Sequence, residues 1–352
     1  MPLMLKGVPY ALLAALLFGA STPLAKVLLP QVMPMLLAGL FYLGSGVGLA
    51  GFWVFRARLT SAGQQEPSLT RSNWRWLAGS ILAGGVVGPV LLMWGLSATP
   101  ASSASLLLNL EGVLTALLAW FVFKENFDRR IALGMALIAA GGVSLSWAGR
   151  LELAVPWGSL AIVGACLAWA IDNNLTRKVS AHDPVQIAML KGLVAGSVNT
   201  GLALALGAKP PAVTSLLAIG LVGFFGYGVS LSLFVLALRH LGTARTGAYF
   251  SIAPFVGALI AVLMLGDRVT IGLGVAAVLM GFGVWLHLSE RHEHQHHHEP
   301  MEHEHLHTHD EHHQHTHGPN DPPGEPHTHS HRHEHLAHSH PHYPDLHHRH
   351  EH

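Results

Sequence analysis

Residues 100–125 read PASSASLLLNLEGVLTALLAWFVFKE. The run is apolar and long enough to cross a bilayer, which takes about 20 residues of helix. Yet Glu111 sits near its middle. A carboxylate at that depth costs at least about 2.5 kcal/mol unless it is paired, solvated or protonated. The stretch also recurs: a shift of 142 positions lays Gly95–Glu125 on Ala237–Asp267 without a gap, and Ala253 then stands where Glu111 would be. A duplicated membrane segment with an acid in one copy is the pattern from which the rest of the chain is read.

Composition places the whole chain in the same setting. Of 352 residues, 50% are hydrophobic and 11% charged, against about a quarter charged in soluble domains. Apolar periodicity predicts ten membrane helices, at roughly 8–29, 33–55, 74–97, 100–123, 131–148, 156–176, 184–207, 213–238, 242–265 and 270–288. The fold class expected is all-α integral membrane, with a disordered C-terminal tail. Lys6 followed by an apolar run has the look of a secretory signal, but further spans follow at once, so it reads as the first helix. Cys166 is the single cysteine, which excludes a disulfide framework and a thiolate metal site.

Charge orients the bundle. With the N-terminus cytoplasmic, the inner connections hold Lys6, Arg56, Arg58, Arg71, Arg75, Lys124, Arg129, Arg130, Arg177, Lys178, Arg239 and Arg245. The outer ones hold Lys26, Arg150, Lys209 and Arg268. That bias predicts both termini inside, in a bacterial-type inner (plasma) membrane. The repeat continues beyond the fourth segment. Phe18-Gly-Ala-Ser21 with Lys26 answers Trp169-Ala-Ile-Asp172 with Arg177, and Gly134 and Gly141 answer Gly274 and Gly281. The expected units are residues 1–150, 151–290 and a tail at 291–352. Five spans per half is an odd number, so the two halves are inverted, an arrangement typical of secondary transporters with a midplane site at the repeat interface.

The ten spans, the duplicated halves and the segment ends LLAWFVFKE and LIAVLMLGD resemble the drug/metabolite transporter superfamily, EamA type, over about residues 8–288. Members carry a mid-helix proline and a terminal Gly-Glu in each half. Pro254 and Gly266-Asp267 fit that pattern, whereas Gly112 and Lys124-Glu125 depart from it. The resemblance implies the fold and a transport role, with substrates ranging over amino acids, sugars, nucleotide sugars and other metabolites.

Several residues could carry chemistry. Ser105, Asn109, Gly112, Ala116 and Ala119 share one side of the fourth segment, and their repeat partners are Gly247, Ser251, Pro254, Ala258 and Ala261. Small faces of this kind read first as packing seams, here through Gly112, Ser251 and Pro254, and second as a substrate lining. Glu111 lies on the opposite side at 100° per residue. It is expected to face the bundle interior or a cavity, as a proton-coupling or substrate site or as a polar link between helices. Asp172 and Lys191 fall at similar depth on neighbouring helices and could pair, as a clasp, a gate or a substrate contact. Asn109 and Asn199 could donate hydrogen bonds inside the bundle. Lys26 and Arg177 are explained by snorkelling to the headgroups, and Pro23, Pro89 and Pro254 interrupt membrane helices.

The tail is a different object. Residues 1–290 hold 17 Lys+Arg and 9 Asp+Glu, and residues 291–352 hold 3 and 11 together with 25 of the 28 histidines. It lacks the apolar residues for a core. Its His-x-His alternations suit coordination of Zn2+, Ni2+, Co2+ or Cu2+ by neutral imidazole. The candidate ligands are His303, His305, His307, His309, His312, His313 and His315, then His317, His327, His329, His331, His333 and His335. No required cofactor is implied.

The reading is therefore an inner-membrane secondary transporter of a small polar metabolite, directed to export, with a metal-binding or metal-sensing tail. One alternative makes the divalent metal the cargo, and another is a non-transporting membrane metal sensor or store. No nucleophile–base pair or phosphate loop suggests an enzyme. The expected partners are a small-molecule substrate, the lipid bilayer, divalent metal ions and a second copy of the chain, without nucleic acid.

Overall fold

A computed structural model describes residues 4–59, 69, 73–123, 129–147, 156–180, 182–288, 293–298, 302–307, 327–332 and 336–341. Among the described residues ten helical segments form the body. They are α1 (Met4–Leu28), α2 (Pro34–Leu59), α3 (Trp74–Ala98), α4 (Ala101–Leu107 and Leu110–Phe123) and α5 (Arg129–Trp147), then α6 (Trp157–Thr176), α7 (Pro184–Ala205), α8 (Val213–Gly223 through Ser230–Phe250), α9 (Ala253–Leu265) and α10 (Ile271–Leu288). Six of the helical stretches are long and apolar enough to cross a membrane, and Ala132–Leu145, Ala253–Leu265 and Ile271–Leu286 are shorter apolar helices. With α6, which carries Asp172, Asn173 and Asn174, these are the ten expected segments. The chain is an all-α membrane protein.

The dominant packing pairs cross the repeat: α2 with α7, α5 with α10, α1 with α8, α3 with α6, and the first piece of α4 with α9. A pseudo-twofold relation maps α2–α7 and α5–α10 onto themselves and exchanges α1–α8 with α6–α3. Neither half therefore has a core of its own, and buried Phe41, Leu92, Ile162 and Val235 all belong to one cluster. At the α2–α7 crossing the backbones nearly touch. A Cβ on Gly192 would lie 2.5 Å from Gly46 N, so glycine is what permits that approach. Ile271, Leu263 and Phe121 point outward from the body, as lipid-facing side chains should.

Two features depart from the expected boundaries. α4 is broken by a turn at Leu108–Asn109, and a turn at Ser251–Ile252, one residue past the repeat-related position, separates α8 from α9. The boundary expected near 239–241 is absent, because the helical backbone runs on to Phe250. The first half does stop at the matching place, where Thr99 is extended (φ −127°, ψ 142°) ahead of Pro100. Proline disfavours the helical conformation in the residue before it, whereas Leu241-Gly242 imposes no such stop. Pro23 lies within an unbroken α1 and Pro254 in the first turn of α9, where no amide donor is needed, while Pro89 lies inside the continuous α3 and leaves a carbonyl of the preceding turn without its amide donor.

Each half also carries one π-helical segment, Ile81–Val87 in α3 and Phe224–Val229 in α8. The two superpose in sequence at the shift of 142. In the tail, where disorder was expected, four strands appear: β1 (Glu293–His298), β2 (Glu302–His307), β3 (His327–Arg332) and β4 (Leu336–Pro341). β1 pairs with β4 and β2 with β3, both antiparallel, with His296 opposite His338 and His305 opposite His329. An alternation of period two is compatible with a strand, but a two-stranded pair without a packed face is marginal at best in water.

Candidate functional site

A cavity of about 70 Å³, partly open to the outside, lies between the two halves. Six rings form most of its wall: Phe18 from α1, Tyr42 from α2, Trp169 from α6, and Tyr227, Phe234 and Phe250 from α8. Phe18 is the hub, with centroids 5.8 Å from Trp169, 5.9 Å from Tyr227 and 5.4 Å from Phe250. Glu111, Asp172, Asn173 and Ser230 supply the polar lining.

Glu111 is placed by the break in α4. The turn at Leu108–Asn109 starts a new helix at Leu110, so the carboxylate occupies its first turn, near the positive end of the helix dipole. Asn173 Nδ2 donates to Glu111 Oε1 at 2.7 Å and reaches Thr115 Oγ1 at 3.4 Å. Asn174 ties the same helices, donating to Thr115 O at 3.3 Å and Ala170 O at 2.9 Å. No Lys, Arg or His among the described residues pairs with Glu111.

Asp172 is in a different state. Lys191 Nζ, 1% exposed as a residue, donates to Asp172 Oδ1 at 2.6 Å. Thr176 Oγ1 donates to the same oxygen at 2.8 Å and accepts from Lys191 at 3.0 Å, with Ser80 Oγ 3.1 Å further on. The pair is thus neutralised and hydrogen-bonded on the spot, the condition for keeping charges out of water.

The π-helical segment of α3 holds two of the rings in place. A π turn shifts the ladder and leaves carbonyls without their usual helical donor. Gly84 O accepts from Tyr42 Oη at 2.8 Å and from Trp169 Nε1 at 2.9 Å. Asn199 Nδ2 donates to Gly85 O and Val86 O, both at 3.2 Å. Gly84 is required there, because a Cβ would collide with the Asp172 carboxylate.

A cavity at the repeat interface, walled by both halves and holding an unpaired acid, is the geometry of a transporter, and comparison with known proteins bears on the same point. The model of the EamA-like transporter family matches residues 5–147 and again 156–289. The chain belongs to that family. An uncharacterized transporter of Methanothermobacter thermautotrophicus is 29% identical over 287 residues, covering 78% of this chain and 83% of that one. A Salmonella typhimurium protein named "Probable amino-acid metabolite efflux pump" is 26% identical over 298 residues, covering 79% and 93%. One crystal structure, at 18% identity, matches with a TM-score of 0.62 over 80% of this chain and 95% of its own, which shows a shared fold.

In this EamA-like chain, then, Glu111, Asp172 and Lys191 come together around one cavity. Asn109 does not join them: it is 3% exposed, donates to Leu106 O at 3.2 Å and lies 3.8 Å from Met280 Sδ, away from the cavity lining. The turn at 108–109 leaves Asn109 on the side of α4 opposite Glu111, as its spacing indicated. Gly112 is exposed, with Ser251 Oγ 3.8 Å from where its Cβ would be; the closest approach of α4 to α9 is instead at Ser105 and Gly257, above buried Pro254. Lys26 does not snorkel to headgroups. Its Nζ donates to Leu96 O at 2.6 Å and Thr99 O at 2.8 Å, satisfying the open end of α3. Lys124, Glu125, His309, His312, His313, His315, His317, His333 and His335 lie outside the described residues, and His303, His305, His307, His327, His329 and His331 are described by backbone alone. The aromatic wall and the bond from Asn173 were not anticipated. Phe18 and Trp169 were nevertheless visible as matched first residues of the quoted repeat motif.

Proposed function

We propose that this EamA-family transporter is a secondary transporter that exports a small polar metabolite across a bacterial-type inner membrane. The observation that carries the reading is Glu111: a carboxylate without a cationic partner, at a helix start, lining a cavity shared by both halves. An intramembrane acid so placed marks a substrate or proton path. Export is supported by the efflux-pump name of the Salmonella relative. The test is flux from proteoliposomes loaded with a metabolite extract. Glu111→Gln should lower substrate-dependent flux at least tenfold while leaving the protein monodisperse. Full flux through this variant would remove Glu111 from the transport path.

We further propose that the tail binds divalent metal and tunes transport rather than loading cargo. Its 25 histidines support binding, and no cluster of three or more His, Cys, Asp or Glu exists among the described residues to receive a metal in the core. Removal of residues 292–352 should abolish zinc retention by the purified protein while cellular zinc, nickel and cobalt stay unchanged; altered cellular metal would favour metal as cargo.

A further inference from the structure

We infer that the cavity takes an organic monocation: a protonated or quaternary amine bearing an apolar group. The inference rests on reading the cavity as the cargo site and adds the chemical class of the cargo.

Charge accounting comes first. The lining contains two carboxylates and no Lys, Arg or His. Lys191 neutralises Asp172 from behind the wall, so Glu111 in its ionised form leaves the cavity one negative charge in excess. Asn173, the one polar group bonded to that carboxylate, is neutral. A carboxylate held in this way is complete only with a cation from outside the chain or with a proton.

The wall then distinguishes among cations. Six rings surround the space, where a metal ion or a small hydrated cation would call for oxygen and nitrogen ligands. The face of an aromatic ring attracts an alkylammonium through its quadrupole and gains further from desolvation. The T-shaped contacts of Phe18 with Trp169 and Tyr227 hold neighbouring rings at steep angles, 80° and 68°, so the walls enclose a volume rather than stack shut.

Donor accounting excludes the opposite charge. An anion or a zwitterion would need hydrogen-bond donors for its carboxylate. Tyr42 Oη and Trp169 Nε1 are committed to Gly84 O, and Ser230 Oγ donates to Ala14 O at 2.9 Å. Asn173 Nδ2 is committed to Glu111. Buried Tyr227 Oη is the one hydroxyl of the lining without a hydrogen-bond partner, and a single neutral donor is poor recognition for a carboxylate.

The experiment uses the purified full-length chain in lipid nanodiscs and isothermal titration calorimetry with four probes: benzyltrimethylammonium, its neutral isostere neopentylbenzene, phenylacetate and L-phenylalanine. The ammonium should bind at least tenfold more tightly than each of the others, and Glu111→Gln should erase that preference. Phe250→Leu, which alters no charge, should weaken the ammonium roughly two- to thirtyfold and leave the isostere within about twofold. Equal binding of the isostere, tighter binding of phenylacetate or phenylalanine, a preference that survives Glu111→Gln, or no binding of the ammonium would each overturn the inference. The two readings fail separately. Glu111-dependent flux of an anion or zwitterion would keep the transporter and discard the monocation, whereas ammonium binding without flux of any solute would do the reverse.

Discussion

The two π-helical segments occupy the same place in the two halves but are furnished differently. Around Ile81–Val87 stand Asp172 against Gly84, Lys191 behind it, and Asn199 on the carbonyls of Gly85 and Val86. The repeat-related residues around Phe224–Val229 are Ser21, Phe41 and Leu49. Ser21 packs at Gly226 as Asp172 packs at Gly84, and Leu49 lies near Gly228. The same backbone bend is thus satisfied once by a polar network and once by small and apolar side chains. Duplication preserved the shape, and the chemistry of the two copies diverged around it.

The comparison can be broken most forcefully at the ion pair. Lys191→Met leaves Asp172 buried and uncompensated and should cost about 3–5 kcal/mol, read as a fall in thermal unfolding temperature. Installing the first half's residues together, Asp172→Ser with Lys191→Phe, should restore most of that loss. A double variant as unstable as the single one would mean that the site around Ile81–Val87 cannot accept the solution used around Phe224–Val229. The glycines come next. Gly84→Ala forces a methyl into the Asp172 carboxylate, while Gly226→Ala presses on the Ser21 Cβ at 2.8 Å and reaches Leu17 O at an ordinary 3.5 Å. Overpacking costs about 1–3 kcal/mol, and the former variant should stand at the upper end and the latter at the lower. Equal losses would show that the helix bend itself, not its neighbour, is what resists. Asn199→Leu, which copies Leu49, gives up two hydrogen bonds of about 1 kcal/mol each and should cost about 2 kcal/mol, between the two glycine variants, read as the same thermal shift.

The parts of this molecule written in apolar periodicity were readable from sequence: ten segments, the duplication at 142 positions, and the depth of Asp172 and Lys191. What the sequence concealed depends on local departures from that periodicity. One residue of extra winding in α3 and α8, and the two-residue turn in α4, rotate everything that follows. Asn109 donates inside the bundle on the side away from Glu111, as its spacing indicated, whereas Tyr42 and Asn199 could not be assigned to the carbonyls freed by the π turn and by Pro89. The aromatic wall escaped for another reason. Its six rings come from four helices and are each ordinary core residues until the bundle closes around them.

The hydrogen bonds at the far end of α1 bear on how the protein moves. Lys26 holds Leu96 O and Thr99 O, and Asp267 Oδ2 accepts from Ser102 N at 2.8 Å, so α1, α3, α4 and the end of α9 are fastened together there by a few polar contacts. All three involve a charged partner, for which a hydrogen bond is worth about 1.5–3 kcal/mol. Water can take over each of them as the groups part. A polar seam of this kind differs from a greasy plug of equal area, whose separation would leave apolar surface bare to water.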